Sequence, residues 1–456
     1  MKRAGVWGMV RGGFGFGYVV GGLSMAHLNL YSAKTAKNDE FYTQLSDIQL
    51  ELKNYSDKFK GKVVFCNCDD PFESNFVKYF LMNFNRLELK ELIAIGYKTS
   101  PFGGEEIGEP NCPYVLRVNS TTKYLVGTQK DLDVAGAKYF LETEGKNVMS
   151  PLIGNAALDE DGNQIQIQEK ETHVDEATGK KKTKTIKKDL YYEAGDFRSD
   201  MSLEYLKQSD IVVTNPPFSL FREFVGTLIK YEKQFLIIGN INCITYKEIF
   251  PLLKANKAWL GNGMGRKISG FIVPEYYELY GTEASLNNKG ERIVATNNAL
   301  WLTNIDHPKR HQMLPLDLGY TYEGHEDMYP TYDNYDAINV DKTNEIPCDF
   351  KGIIGVPISF LDFFCPEQFE LVGLSSKDGA VDVPRFHDNE YYNGYTRGKV
   401  VTGMESNMPI LNVSGKGGTL CQREGSPDLY QMYWRVFIRY TEQYISDHPE
   451  HFKEES

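Results

Sequence analysis

The chain has 456 residues, of which 41% are hydrophobic and 25% charged, and its formal net charge is −12. That length allows two or three domains, or one enlarged core with a companion, and the composition is that of an ordinary soluble globular protein. No run approaches the ~18 apolar residues of a membrane span. The acidic balance argues against coating nucleic acid over the whole surface, though not against a cleft with a local basic lining.

Residues 1–30 are Gly-rich and carry Lys2, Arg3 and Arg11. Gly13-Phe-Gly-Phe-Gly17 has the outline of a dinucleotide loop, but no strand precedes it and no helical pattern follows, so it is poor support for a nicotinamide oxidoreductase. Arg11 and the glycines interrupt the apolar stretch of a signal peptide. The segment reads as a disordered extension, or as a start placed too far upstream, with Met25 as the alternative start.

Lys62–Cys66 reads as a buried strand. Phe72, Phe76, Val77, Phe80, Leu81 and Phe84 then recur at helical spacing, and Leu92–Ile95 is the next strand. Strands alternating with helices predict a doubly wound, mostly parallel α/β sheet. An insertion at about 155–190 breaks the pattern: Gln164–Gln168 alternates, Glu176–Gly179 supplies a turn, and the lysine-rich Lys180–Lys188 returns. This is a predicted β-hairpin. Its lysines either guard a solvated edge, the commoner use of such a run, or touch phosphates.

The apolar strand Asp210–Thr214 ends abruptly in Asn215-Pro216-Pro217-Phe218. The Asn215 side-chain oxygen and the Pro216 carbonyl can both accept hydrogen bonds from one exocyclic NH2 group. Pro217 fixes φ and stiffens the turn, and the Phe218 ring offers a face on which a flat base can stack. Phe221, Phe224, Val225, Leu228 and Ile229 follow at helical spacing, so the tetrapeptide is a rigid strand-to-helix turn. The plain alternative is an ordinary turn, since Asn and Pro are common there. Phe235–Gly239 and Ala299–Thr303 read as later strands. Beyond about 305 the chain is rich in Tyr, Asp, Asn and Pro, as in a second domain or a set of recognition loops. Arg266-Lys267, His307–His311, and Arg435 with Arg439 are basic-aromatic clusters that either contact DNA or serve the surface and core.

Seven cysteines lie scattered without a CxxC pair, which suits a reduced cytoplasmic compartment and gives no reason to expect a metal. Cys348 follows Pro347, the order a cytosine-C5 nucleophile needs, but over a hundred residues past the Asn-Pro-Pro-Phe turn. It reads as a packing residue.

Asn-Pro-Pro-Phe at 215–218 resembles motif IV of the amino-methyltransferases, which use S-adenosylmethionine to methylate a planar amide or amidine nitrogen. Lys37–Gln44 (Lys-Asn-Asp-Glu-Phe-Tyr-Thr-Gln) resembles the donor-contacting motif X. With Cys-Asn-Cys-Asp-Asp-Pro at 66–71, Gly-Asp-Phe-Arg-Ser at 195–199, Tyr335–Asn339, Gly355–Phe360 and Pro366–Phe369, the chain resembles the EcoRI-type adenine-specific DNA methyltransferases over roughly residues 33–440. The resemblance implies a seven-stranded Rossmann-like methyltransferase sheet at 31–304 and a target-recognition region at 305–456. It implies S-adenosylmethionine as donor and transfer to N6 of an adenine flipped out of double-stranded DNA. Asn215, Pro216, Pro217 and Phe218 would be catalytic. Phe41, Tyr42, Thr43, Cys66, Asn67, Asp69, Asp70, Asp196 and Phe197 would hold the donor, with Asp196 accepting from its adenine amine and Phe197 covering the ring.

Two features depart from the family pattern. No glycine occurs between Lys62 and Ile95, so Cys66–Cys68 and Ser74-Asn75 stand where Gly-x-Gly usually lets backbone approach the donor. The acidic residue that usually follows the second strand is missing, leaving Asp69 and Asp70 as ribose candidates or as turn and capping residues. An RNA or protein-glutamine N-methyltransferase is the enzymatic alternative, and a catalytically silent DNA-binding relative the other. A cognate restriction endonuclease would be a partner, and a monomer suits an enzyme that modifies one strand at a time.

Overall fold

The computed structural model describes residues 42–96, 113–122, 133–143, 145, 149–159, 161–174, 181–273, 284–287, 290–294, 298–320, 328–375, 383–384, 391–393, 408–412, 419–423 and 428–452. Phe41 lies outside them, as do residues 1–30.

The first half runs β1 (Tyr42–Thr43), α1 (Leu45–Leu52), β2 (Val63–Cys66), α2 (Asn75–Met82), β3 (Glu91–Ile95), β4 (Tyr114–Asn119), α3 (Val134–Glu142) and β5 (Met149–Pro151). Next come β6 (Asn155–Ala156), β7 (Gln166–Val174), β8 (Lys181–Asp189), β9 (Tyr191–Tyr192), α4 (Asp200–Gln208), β10 (Ile211–Thr214), α5 (Phe221–Lys230) and β11 (Gln234–Asn240). Then follow α6 (Phe250–Lys254), β12 (Trp259–Met264), β13 (Phe271–Ile272), β14 (Ala284–Leu286), β15 (Arg292–Val294) and β16 (Ala299–Thr303).

One large sheet orders its strands β12-β16-β11-β10-β2-β3-β4-β5. Its centre, β11-β10-β2-β3, is parallel, while β16, β12, β4 and β5 join antiparallel. The expected sheet of seven mostly parallel strands is therefore corrected to eight strands of mixed direction. The physical reason is that pairing direction is set by connections. β16 is buried at all five positions, and an apolar run reads the same either way.

Side chains alternate across the pleat. Val63, Phe65, Ile93, Ile95 and Val212 enter one core, while Val64, Cys66, Leu92, Ala94, Ile211 and Val213 enter the other. The first core continues into the C-terminal region, where β17 (Ile338–Asn339), β18 (Ile354–Pro357) and β19 (Phe369–Leu374) are followed by β20 (Tyr391–Asn393), β21 (Ile410–Leu411), β22 (Thr419–Arg423), β23 (Leu429–Gln431) and β24 (Arg435–Tyr440). Ile354, Val356, Val436 and Ile438 share that core with Phe65 and Val212, so the two regions are packed as one body.

The strand order reverses between β2 and β10, because the chain leaves β2 toward β3 and later returns on its other side. Open α/β sheets form their ligand crevice at the carboxyl ends of such a pair. Val64 and Phe65 register with Ile211 and Val212, which brings the segment after Cys66 level with Thr214-Asn215.

A feature invisible in the sequence secures the N-terminal edge. On α1, Asp47 accepts from the Ser269 backbone N–H at 2.9 Å. One turn on, Glu51 accepts from the backbone N–H groups of Asn262 and Gly263 at 2.8 and 2.9 Å. These buried carboxylates fasten α1 to residues 262–269 and fix where β1 enters.

Candidate active site

Asp69 is the hub of the crevice. It is buried and accepts a hydrogen bond from Ser74 Oγ at 2.8 Å through Oδ1 and one from Thr214 Oγ1 through Oδ2. The backbone N–H of Asn215 donates to the same carboxylate. Burial pushes its pKa up from 3.8 to about 7, against the hydrogen bonds from Thr214, Ser74 and Asn215. One carboxylate thus ties the loop after β2 to the strand end that delivers the Asn-Pro-Pro-Phe turn.

Asp70 has a different task. Its Oδ1 accepts from the N–H groups of Phe72 and Glu73 at 2.9 and 3.1 Å, and its Oδ2 from Tyr114 Oη at 3.1 Å. Its bonds to the Phe72 and Glu73 N–H groups are those of a turn-forming residue. A Cβ on Gly96 would stand 2.8 Å from Asp70 Oδ2, so the glycine lets the end of β3 pack closely on the loop after β2. Cys66 and Asn67 are buried beside this loop, and burial raises the Cys66 thiol well above its usual range.

Ser74 caps α2 by accepting from the Phe76 N–H at 3.0 Å, and Asn75 Nδ2 donates to the Thr43 carbonyl at 2.8 Å. Thr43 is thereby held over the N-terminus of α2, where a helix favours anionic groups. Its Oγ1 is buried with no hydrogen-bond partner among the described residues. Tyr42 and Thr43 register with Ile272 and Phe271. The Phe218 ring lies 6.0 Å from Phe271, so β1 and the Phe218 ring share a neighbour. Asn215 is half-buried, with Oδ1 shielded from solvent, while Pro216 is buried and Pro217 half-buried.

Asp196 is brought near the loop, since its charge and that of Asp69 help burial raise the Cys68 thiol. Its carboxylate is gripped by Arg198 at 2.9 and 2.7 Å, and Arg198 also reaches Glu223 at 3.1 Å. Phe197 is buried edge-on to Phe224 at 5.1 Å, so its ring is built into the wall. Ser74-Asn75 was noted in the sequence in place of the usual Gly-x-Gly, whereas Thr214, Phe271 and Arg198 were given no site role there. The threonine just before Asn215 was the available signal.

The basic-aromatic clusters are largely consumed within the chain. Lys309 and Lys267 pair with buried Asp362 at 2.5 and 2.7 Å, Arg310 lies 3.9 Å over Trp259, and Arg439 pairs with Glu370. Among the described residues, no group of three or more His, Cys, Asp or Glu side chains could hold a metal, and no helix is long and apolar enough to cross a membrane.

The Asn-Pro-Pro-Phe turn stands on one lip of the switch-point crevice, and the N-terminus of α2 is tied to the other through Ser74 and Asp69. The family described as adenine-specific methyltransferase EcoRI matches residues 29–440. The chain is 46% identical over 359 residues to the Type II methyltransferase M.EcoRI of Escherichia coli, covering 77% of this chain and 92% of that protein. It is 34% identical over 350 residues to the Type II methyltransferase M.MgeORF184P of Mycoplasma genitalium, covering 76% and 86%. The Type II methyltransferase M.MpnI of Mycoplasma pneumoniae is also 34% identical, over 75% of this chain and 83% of its own. No solved structure matches. The chain belongs to the EcoRI family of adenine-specific methyltransferases.

Proposed function

We propose that the enzyme methylates N6 of an adenine swung out of double-stranded DNA, using S-adenosylmethionine. The observation that carries this reading is the Asp69 bridge, which joins the two lips of the crevice through Ser74 on one side and Thr214-Asn215 on the other. The donor would lie over the N-terminus of α2, between Tyr42-Thr43 and the 66–70 loop, with the buried Thr43 Oγ1 as a natural partner for one of its polar groups. Bound there, it supplies an electrophilic methyl group on a sulfonium.

The chain's residues supply position and polarity. Asn215 Oδ1 and the Pro216 carbonyl accept from the N6 amine, turning its lone pair toward the donor and stabilising positive charge that grows on nitrogen. Phe218 stacks on the flipped base, Pro217 keeps the turn rigid, and alignment provides much of the acceleration. Asp196, held by Arg198, and Phe197 behind it form the adenine-side wall of the donor pocket, and Cys66 and Asn67 its floor. In this reading the parallel centre of the sheet is the Rossmann-like methyltransferase core and residues 305–456 carry target recognition. The protein works as a cytoplasmic monomer, paired with an endonuclease in restriction-modification.

Incubation with tritiated S-adenosylmethionine and mixed DNA is the direct test. Label in adenine N6 is expected. Label appearing only in RNA or protein, or none despite donor binding, sinks the reading.

A further inference from the structure

Residues 262–272 form a strap that leads from the end of β12 into β13. The strap finishes at the crevice, where Phe271 registers with Thr43 and its ring lies 6.0 Å from Phe218. One hold on it comes from the N-terminal side. Asp47 and Glu51 accept from its backbone N–H groups. Gln44 Nε2, next to Thr43, donates to Ser269 Oγ at 2.6 Å and to the Gly270 carbonyl at 3.2 Å.

A second hold comes from the C-terminal region. β18 runs directly into a tight helical turn, residues 358–363, that packs against both β12 and β24. Phe360 and Leu361 anchor this turn in the core, with the Phe360 ring 5.3 Å from Phe369. The next residue, Asp362, has a side chain only 6% exposed. Its Oδ2 accepts from Lys267 on the strap at 2.7 Å, and its Oδ1 from Lys309 at 2.5 Å.

Lys309 also donates to the Asn262 carbonyl at 3.3 Å, while the Asn262 N–H is taken by Glu51 at 2.8 Å. One peptide segment is thus gripped by α1 through its N–H and by the C-terminal region through its carbonyl. Lys267 is half exposed, and an ordinary surface pair of that kind contributes little. Here the carboxylate is buried and shared by two ammonium groups, so removing it leaves charge unbalanced at a largely desolvated position.

We propose that Asp362 is a positioning residue: through Lys267 and Lys309 it lets the C-terminal region set the strap, and with it Thr43 and the ring beside Phe218. This rests on the donor placement above and names what holds that edge from the far side.

The test on the full chain combines hydrogen exchange read by mass spectrometry with calorimetric titration of S-adenosylmethionine, both without DNA. Lys267→Gln removes one leg at an exposed site. It should raise exchange over 262–273 and 42–52, and the donor Kd, by about three- to fivefold, the upper range for a half-exposed pair. Asp362→Asn releases both lysines and should raise all three by about tenfold or more. Lys267→Arg restores the ion pair and should keep the parental values. If Asp362→Asn does not fold, the two Lys267 variants decide alone. Exchange that changes only over 358–364, with donor Kd within twofold of the parent, overturns the proposal and leaves Asp362 a docking contact. Exchange that rises across the strap while donor Kd holds overturns the donor placement, and the positioning role with it. A parent that binds no S-adenosylmethionine sinks the reading beneath both.

Discussion

Glu51→Ala tests whether the carboxylate clamp on α1 sets the donor side of the crevice. Glu51 is 2% exposed. It accepts from Tyr55 Oη at 2.9 Å, from Asn262 N at 2.8 Å and from Gly263 N at 2.9 Å. Truncation strands two backbone donors and a hydroxyl, and each stranded group costs about 1–3 kcal/mol if it stays dry. Water entering the space left by the carboxylate recovers part of that, leaving a net loss of about 3 kcal/mol. At 1.4 kcal/mol per tenfold, local opening of α1 rises about a hundredfold. Hydrogen exchange read by mass spectrometry on peptides spanning 42–58 should accelerate by about that factor, with β10 unchanged as the internal reference. Donor affinity should fall too, because α1 carries Thr43 into place. Glu51→Gln should lie between, since its NH2 group would face a backbone N–H. Exchange over 42–58 within twofold of the parent would refute the clamp.

Asn215→Ala removes one of two amine acceptors and should cost kcat about a hundredfold, by analogy with losing one preorganised partner of a transition-state charge. Calorimetry should find donor binding intact, and near-parental turnover means the clamp is misassigned. Asp69 keeps its proton in the folded chain up to about pH 7, whereas its ordinary value is 3.8. Its contribution to stability is therefore complete below about pH 3.8 and is lost as the pH rises to 7, a change of about 4 kcal/mol. Denaturant titrations from pH 5 to 8 should show the parent losing stability relative to Asp69→Asn, and parallel curves contradict the buried hub. Gly96→Ala forces the Asp70 carboxylate to move and should cost about 1–3 kcal/mol, as overpacking does. An unchanged melting temperature would show that the loop yields freely. Phe218→Ala should weaken DNA binding by about 1–3 kcal/mol of stacking while Phe218→Tyr keeps it, read by 2-aminopurine fluorescence at the target base.

The sequence by itself determined the local pieces. β16 falls on Ala299–Thr303 as read, β10 and β2 fall within one residue of their apolar runs, and α5 follows the rigid turn at 215–218. These were legible because apolar periodicity and proline act over a few residues. The eight described donor candidates also lie on segments that the fold gathers around the β2–β10 switch point. Tertiary structure alone decided what their polar atoms do. It set Asp70 against the N–H groups of Phe72 and Glu73, paired Asp196 with Arg198, packed Phe197 on Phe224 and made Asp69 the bridge to Thr214, 145 residues away. It likewise set β16 antiparallel and fastened α1 through Asp47 and Glu51. A carboxylate's partners depend on which distant donors share its burial, and strand direction depends on the path between strands, so neither is written in the residue's own neighbourhood.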